Sequence, residues 1–244
     1  KRRIENGGYI DDIFDPEVLS PQFREVGVGG IAVMADYRMG GCTYDDLKKF
    51  VEEQRRHRME VPGSVMVINN DLIVDEVQVA QSAAAGVAGL VIDFSVVGHD
   101  LCDKLMRATQ AAGLEPIVAV ETPQQAQAAV QLGAPMISVV GIDAVDDKVS
   151  CIADVPDHVL TIANILAKDN KQLEEVEEAW KCRDNGFNCI WVSDALYKSG
   201  NDPSETPGAI IKAMLAKSSV KWASPKARSG RGEGAREYLG DIMM

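Results

Sequence analysis

A chain of 244 residues, 46% of them apolar, matches one barrel of about 250 residues or two small domains, and no apolar run approaches the ~20 residues of a membrane span. The net charge of −12 argues against wholesale binding of nucleic acid. Five cysteines, odd in number and never spaced C-x-x-C, read as free thiols in a reducing compartment, with no zinc framework and no metal or cofactor expected.

The chain opens at Lys1-Arg2-Arg3 without a methionine, an apolar signal or a long Ser/Arg-rich transit segment, which reads as a processed or partly observed product. Residues 4–16 are turn-rich. A helix is expected over 17–26, ending at Gly27, and a strand over 31–35. A loop through Met39-Gly40-Gly41 then leads to Thr43, a residue type suited to N-capping, and to a helix over 44–58.

Residues 61–143 organise the rest. Four short apolar runs at 64–68, 89–95, 116–120 and 136–141 alternate with segments 75–85, 101–112 and 123–132, rich in Ala, Gln, Leu and Lys. The first set reads as strands and the second as helices. Gly86, Gly113 and Gly133 close the helices, glycine being the residue that enters a left-handed C-cap at least cost. Continuous apolar strands suit a parallel sheet covered on both faces. Repeated βα units with such short loops leave two choices, a doubly wound sheet or a closed (β/α)8 barrel.

Farther on, 143–157 reads as a polar connection, 159–165 as a strand and 171–184 as a helix capped by Asp169. A strand over 188–193 and a helix over 204–216 complete the body. That makes seven strands; the eighth needed to close a barrel would lie at or before residue 1. From Lys217 onward there are six basic and three acidic residues, leaving 19 basic and 34 acidic before it, a balance of −15. Ser224 to Gly234 has the composition of a flexible, solvated segment. The division expected is a barrel over 1–216 and a basic tail over 217–244. Trp222, Arg228, Arg231 and Tyr238 are the candidate docking residues if that tail is an arm rather than a simple end.

Several stretches resemble indole-3-glycerol-phosphate synthase. Val61-Pro62, Asn70-Asp71-Leu72-Ile73-Val74-Asp75, Gln78 and Ala84-Ala85-Gly86-Val87-Ala88 follow its third and fourth βα units. Leu114 to Val120 resembles the fifth, Phe14-Asp15-Pro16 with Gly40-Gly41 the second, and Gly186-Phe187-Asn188 with Val192-Ser193-Asp194-Ala195-Leu196 the eighth. The resemblance covers roughly residues 1–215. It implies a (β/α)8 TIM barrel with its first strand truncated at residue 1, Lys1-Arg2-Arg3 standing for that strand's end, and a C-terminal extension.

The family, of tryptophan biosynthesis, closes and decarboxylates a carboxyphenylamino-deoxyribulose phosphate to form the indole ring. The resemblance places its reacting groups at strand ends: a general-acid lysine, acidic partners, an asparagine and a phosphate cradle. Here the strand-three lysine falls on Asn70 and the strand-five glutamate on Ala119. The strand-six asparagine falls on Val140, the strand-seven E-S-G motif begins on Asn164 and Ile165, and the glycine opening the phosphate cradle falls on Ser193, beside Asp194. Lys1 alone matches a reacting group. One lost acid or base commonly costs about 10²–10⁴-fold in rate. A carboxylate about 4 Å from a phosphate charge is repelled by roughly 1 kcal/mol in water and about 4 at an effective dielectric near 20. No catalytic residue is therefore assigned.

Six acids, Asp36, Asp71, Asp93, Glu121, Asp143 and Asp194, stand near strand ends. Helix capping and solvated loops are the simpler account, against a Mg²⁺ or Ca²⁺ site or new acid–base chemistry. Asp93 is the oddest, since a charge within Val91-Ile92-Asp93-Phe94 needs a partner. His57, His99 and His158 are widely separated and read as surface residues. Neither Gly7-Gly8 nor Gly40-Gly41 has dinucleotide-binding spacing. Cys102, Cys182 and Cys189 read as small core residues, and residues 174–178 as a solvated helix face.

The reading is a catalytically inactive synthase-like barrel serving as a binding or scaffold subunit, with protein partners met through the tail. No nucleic acid, no membrane span and no small-molecule ligand are expected. The alternatives are an active synthase, a barrel enzyme with a new phosphorylated substrate, or a small-molecule sensor using the old pocket. The compartment expected is the plastid stroma for a photosynthetic eukaryote and otherwise the cytoplasm.

Overall fold

The structure, a computed structural model, describes residues 15–168, 172–197 and 207–216, together with the backbone of β1 (Arg3–Ile4) and β2 (Gly8–Tyr9). β1 and β2 pair antiparallel, Arg3 opposite Tyr9. Arg3 thus takes part in a small hairpin at the position that the resemblance gives to the end of the first barrel strand; Lys1 lies outside the described residues. The body then runs α1 (Pro16–Glu25), β3 (Gly30–Val33), α2 (Tyr44–Arg56), β4 (Met66–Asn69), α3 (Glu76–Ala85), β5 (Gly89–Asp93), α4 (Phe94–Ala111), β6 (Glu115–Val120) and α5 (Pro123–Gln131). It continues with β7 (Met136–Val139), α6 (Val145–Ile152), β8 (Leu160–Ile165), α7 (Gln172–Asp184), β9 (Cys189–Val192), a 3₁₀ turn at Asp194–Tyr197 and α8 (Pro207–Ala216).

Seven strands form one parallel sheet whose spatial order, β3-β4-β5-β6-β7-β8-β9, is the order of the chain. A doubly wound sheet reverses its order at a switch point; this one never does. The arrangement is therefore barrel-like, and seven of its eight staves lie among the described residues.

Strand alternation sorts the side chains into two cores. Val33, Val67, Leu90, Ile92, Val118, Val120, Ile137, Val139, Ala163 and Ile165 face the helices and join the large outer core. Val91, Ile117, Ala119 and Ile162 form a separate inner cluster, flanked by Ile68, Met136, Val140 and Trp191. Local chemistry sets the helix ends. Thr43 and Asp75 make capping boxes with Asp46 and Gln78, satisfying backbone donors that the first turn leaves open. Gly86 takes φ 84° at the end of α3, in the left-handed region where a β-carbon is costly.

Two elements differ from the sequence reading. The connection over 143–157 contains α6, whose polar sequence hides a buried lysine. The helix after β5 begins at Phe94, seven residues before the expected start, and bends at Gly98, whose φ of 68° and ψ of −177° are not helical. Asp93 starts it early by accepting from the Ser95 and Val96 amides at 2.9 and 3.4 Å.

Candidate functional site

In such a barrel the C-terminal strand ends carry the chemistry, and alternation decides which residues reach them. Ala119, the penultimate residue of β6, is 4% exposed and belongs to the inner cluster. Val140, one residue beyond β7, and Trp191 of β9 pack against that cluster. Asn164 of β8 is in register with Trp191, and Asn70 shares the inward parity of Ile68. These positions therefore gather around one axis. Ile165 does not: it is 1% exposed in the outer core, because a strand turns consecutive side chains to opposite faces. Ser193 follows β9, and its hydroxyl donates to Asp194 Oδ1 at 3.4 Å; that carboxylate is buried. Lys1, Trp222, Arg228, Arg231 and Tyr238 lie outside the described residues.

The acids at the strand ends have separate local duties. Asp36 accepts from the Arg38 amide at 2.8 Å, Asp93 caps α4, and Asp71 accepts from the Leu72 amide at 2.8 Å and from the Tyr44 hydroxyl at 3.5 Å. Burial, with the nearby Asp36 charge, raises the Asp71 carboxyl above its ordinary value despite the Leu72 bond. Burial likewise raises the Tyr44 phenol. Among the described residues no three His, Cys, Asp or Glu side chains gather closely enough to hold a metal ion.

A polar cluster that the sequence reading missed lies just outside this rim. Lys148 of α6 is fully buried and donates to Glu178 of α7, itself 3% exposed. Lys168, three residues past β8, reaches the other Glu178 oxygen at 2.7 Å and Asp143 at 3.3 Å. Its backbone amide donates to Glu175, which is also buried. Residues 174–178 are therefore not a solvated face: Glu175 and Glu178 point inward, while Glu174 and Glu177 stay exposed. Burial pulls the Lys168 ammonium down, but its bonds and charges with Glu178 and Asp143 outweigh that, leaving it above the ordinary lysine value. Asp143, Lys168, Glu174, Glu177, Glu178 and Lys181 line a cleft of about 270 Å³, from which Lys148 and Glu175 are shut off by their burial. No signal in the local sequence pairs Lys148 with Glu178; the inward Trp191, by contrast, follows from the alternation Cys189, Trp191, Ser193.

Cys42, Cys102, Cys151 and Cys182 are buried and in no disulfide, and burial pushes the Cys102 and Cys182 thiols to about 11. Cys189 differs from expectation. It is free and exposed, because it is the first residue of β9 and lies at the N-terminal rim, short of the inner cluster.

Parallel strands in chain order, helices outside, an apolar interior and residues converging at the C-terminal rim define a protein of the (β/α)8 TIM-barrel class. Solved barrels agree in fold: a native KDPGal structure superposes with a TM-score of 0.61 at 14% identity, over 84% of this chain and 89% of that one. An archaeal fructose-1,6-bisphosphate aldolase, its catalytic lysine covalently bound to the carbinolamine intermediate of the substrate, gives 0.60 at 12% identity over 83% of each. The chain itself belongs to the indole-3-glycerol phosphate synthase family, whose model matches residues 1–202. Relatives of that name from Streptomyces griseus and Mycolicibacterium vanbaalenii are 24% and 25% identical. The matches cover 95% and 87% of this chain and 80% and 75% of those proteins.

Proposed function

We propose that this barrel no longer carries out the ring-closing decarboxylation of its family and instead serves as a binding or scaffold subunit, with residues 217–244 as its docking arm. The observation that carries the reading is Ala119. The position that the resemblance gives to a glutamate holds a methyl group, sealed among Val91, Ile117 and Ile162 and flanked by Val140 and Trp191. A methyl group moves no proton, and apolar neighbours disfavour the charged intermediates such chemistry passes through. With Asn70 at the lysine position and Asp194 beside the phosphate position, acid catalysis and anion binding are weakened together. Effects of groups acting as a unit are not additive, yet any one acid or base is commonly worth about 10²–10⁴-fold.

The test is turnover of the carboxyphenylamino-deoxyribulose phosphate by the purified chain, with rescue of a tryptophan auxotroph as the cellular counterpart. No turnover and no rescue are expected; either activity overturns the first half of the proposal. For the second half, removal of residues 217–244 should abolish co-purification with partners from the native cell, and unchanged co-purification rejects the arm. The compartment this reading calls for is a reducing one, the plastid stroma in a photosynthetic eukaryote and otherwise the cytoplasm. No described helix is long and apolar enough to cross a membrane.

A second reading, an enzyme with relocated groups, is favoured by one observation. Lys168 stands past the end of β8, 26% exposed and 3.3 Å from Asp143, a cation suited to holding an anionic group of a new substrate. Activity that disappears in Lys168→Met would establish it.

A further inference from the structure

At the opposite, N-terminal end of the strands, a groove of about 510 Å³ opens between α2 and α3, within the roughly 300–1,000 Å³ of small-molecule sites. Val51, Val65, Val67 and Ala88 supply apolar lining, and Arg55 and Arg58 line it too. Gly86 helps to make the space: a β-carbon there would come within 2.2 Å of Arg55 Nη2. The Arg55 side chain, exposed overall, thus brings one edge of its guanidinium against the end of α3.

The charges here are unusual for so acidic a chain. Arg56 is committed to Glu17 at 2.8 Å, whereas neither Arg55 nor Arg58 forms an ion pair among the described residues. The carbonyl ends of α2 and α3 both point to this region and carry partial negative charge. Arg55, resting on Gly86, offsets the end of α3. Arg58 lies past the end of α2, and its full charge exceeds the half charge expected there. Met66 of the lining is exposed, as are Met59 and Val61 in the connection that precedes β4, at 93% and 99%.

From the apolar lining and the two guanidiniums beside it, we infer that this groove is a binding site for a small amphipathic anion, an aryl or alkyl body carrying one carboxylate, sulfonate or phosphate. The apolar part lies along the accessible lining, Val65, Met66 and Ala88, over the packed Val51 and Val67; the head meets Arg58, with Arg55 beside it. Guanidinium suits such heads because its planar fork donates two parallel bonds. The site is independent of the chemistry at the other end of the barrel, so it stands or falls apart from the proposed loss of catalysis.

The test titrates the full chain with three probes sharing one apolar body, 4-phenylbutyrate, 4-phenylbutanol and 4-phenylbutylamine, followed by amide chemical shifts. Probes this small bind weakly, so millimolar concentrations are used. The expected result is saturable binding of the carboxylate, at least tenfold tighter than the amine, with shifts centred on residues 51–67 and 86–88. Arg58→Glu, a change on an exposed rim, should reverse that preference. Ala88→Leu should block all three probes, and Arg58→Glu keeps the test decisive if that variant does not fold. Equal binding of the three probes, no saturation by phenylbutyrate, an unchanged preference in Arg58→Glu, or shifts centred on the C-terminal rim would each overturn the inference.

Discussion

Removing the carboxylate of Glu178 gives the sharpest test of how the outer layer is held. Its two oxygens face two ammonium groups, Lys148, with no exposure, and Lys168, one quarter exposed. In Glu178→Gln, Lys168 keeps Asp143 at 3.3 Å, but Lys148 becomes a buried cation without its carboxylate. Breaking a buried pair from one side costs about 3–5 kcal/mol. For a chain of this size each kcal/mol corresponds to roughly 2–4 °C, so the melting temperature should fall by about 6–20 °C. The double variant Lys148→Met/Glu178→Leu removes both charges while keeping volume. It should recover most of that loss, since apolar replacement of a buried pair is often neutral or stabilising. Urea and thermal unfolding of the parent, Lys148→Met, Glu178→Leu and the double variant form the cycle, with Glu178→Gln measured beside it. A Glu178→Gln loss below about 1 kcal/mol, or a double variant no more stable than either single one, would refute the burial argument.

Three further outcomes are expected. Gly86→Ala should cost about 1–2 kcal/mol, the penalty for a β-carbon in the left-handed region, and Arg55→Ala should not rescue it, because the strain lies in the backbone; urea midpoints of the single and double variants decide. With the Asp71 carboxyl raised, the folded state holds its proton more tightly than the unfolded state. The contribution to stability is thus complete below the unfolded value near 3.8 and is lost as pH rises through the folded one. Asp71→Asn should therefore be more stable than the parent at pH 7, the gain shrinking toward pH 4, and a pH-independent difference in urea midpoint would contradict this. Maleimide should label Cys189 first in the native protein and the four buried thiols only on unfolding, which peptide mass mapping reads; prompt native labelling of Cys102 or Cys182 would contradict their burial.

The helix–strand rhythm of residues 61–143 was legible because its cues are local. Gly86, Gly113 and Gly133 stop helices through their own φ, Asp75 and Thr43 start them through their own side chains, and β-branched runs mark strands buried on both sides. α6 was not legible. Val145, Val149 and Ile152 pack on the core, but the lysine among them is tolerated because Lys148 meets Glu178, 30 positions along the chain, and no pattern within a single helix announces that partner. The same distance effect misassigned Glu175 and Glu178 to solvent and Cys189 to the core. At the candidate site, the family positions could be numbered from the sequence and Trp191 could have been placed by alternation. That Ile165 turns away from the axis follows from the same parity.

By itself, then, the sequence determined the order and kind of most elements and their caps and stops, because each depends on a residue's own chemistry or on short-range spacing. Only the tertiary structure decided the rest: that the strands lie side by side in chain order, that Ala119 is sealed by apolar neighbours, that Lys148 and Lys168 share one carboxylate, and that Arg55 rests on Gly86. Those are contacts between residues far apart in sequence, whose energies exist only once the chain has closed around them.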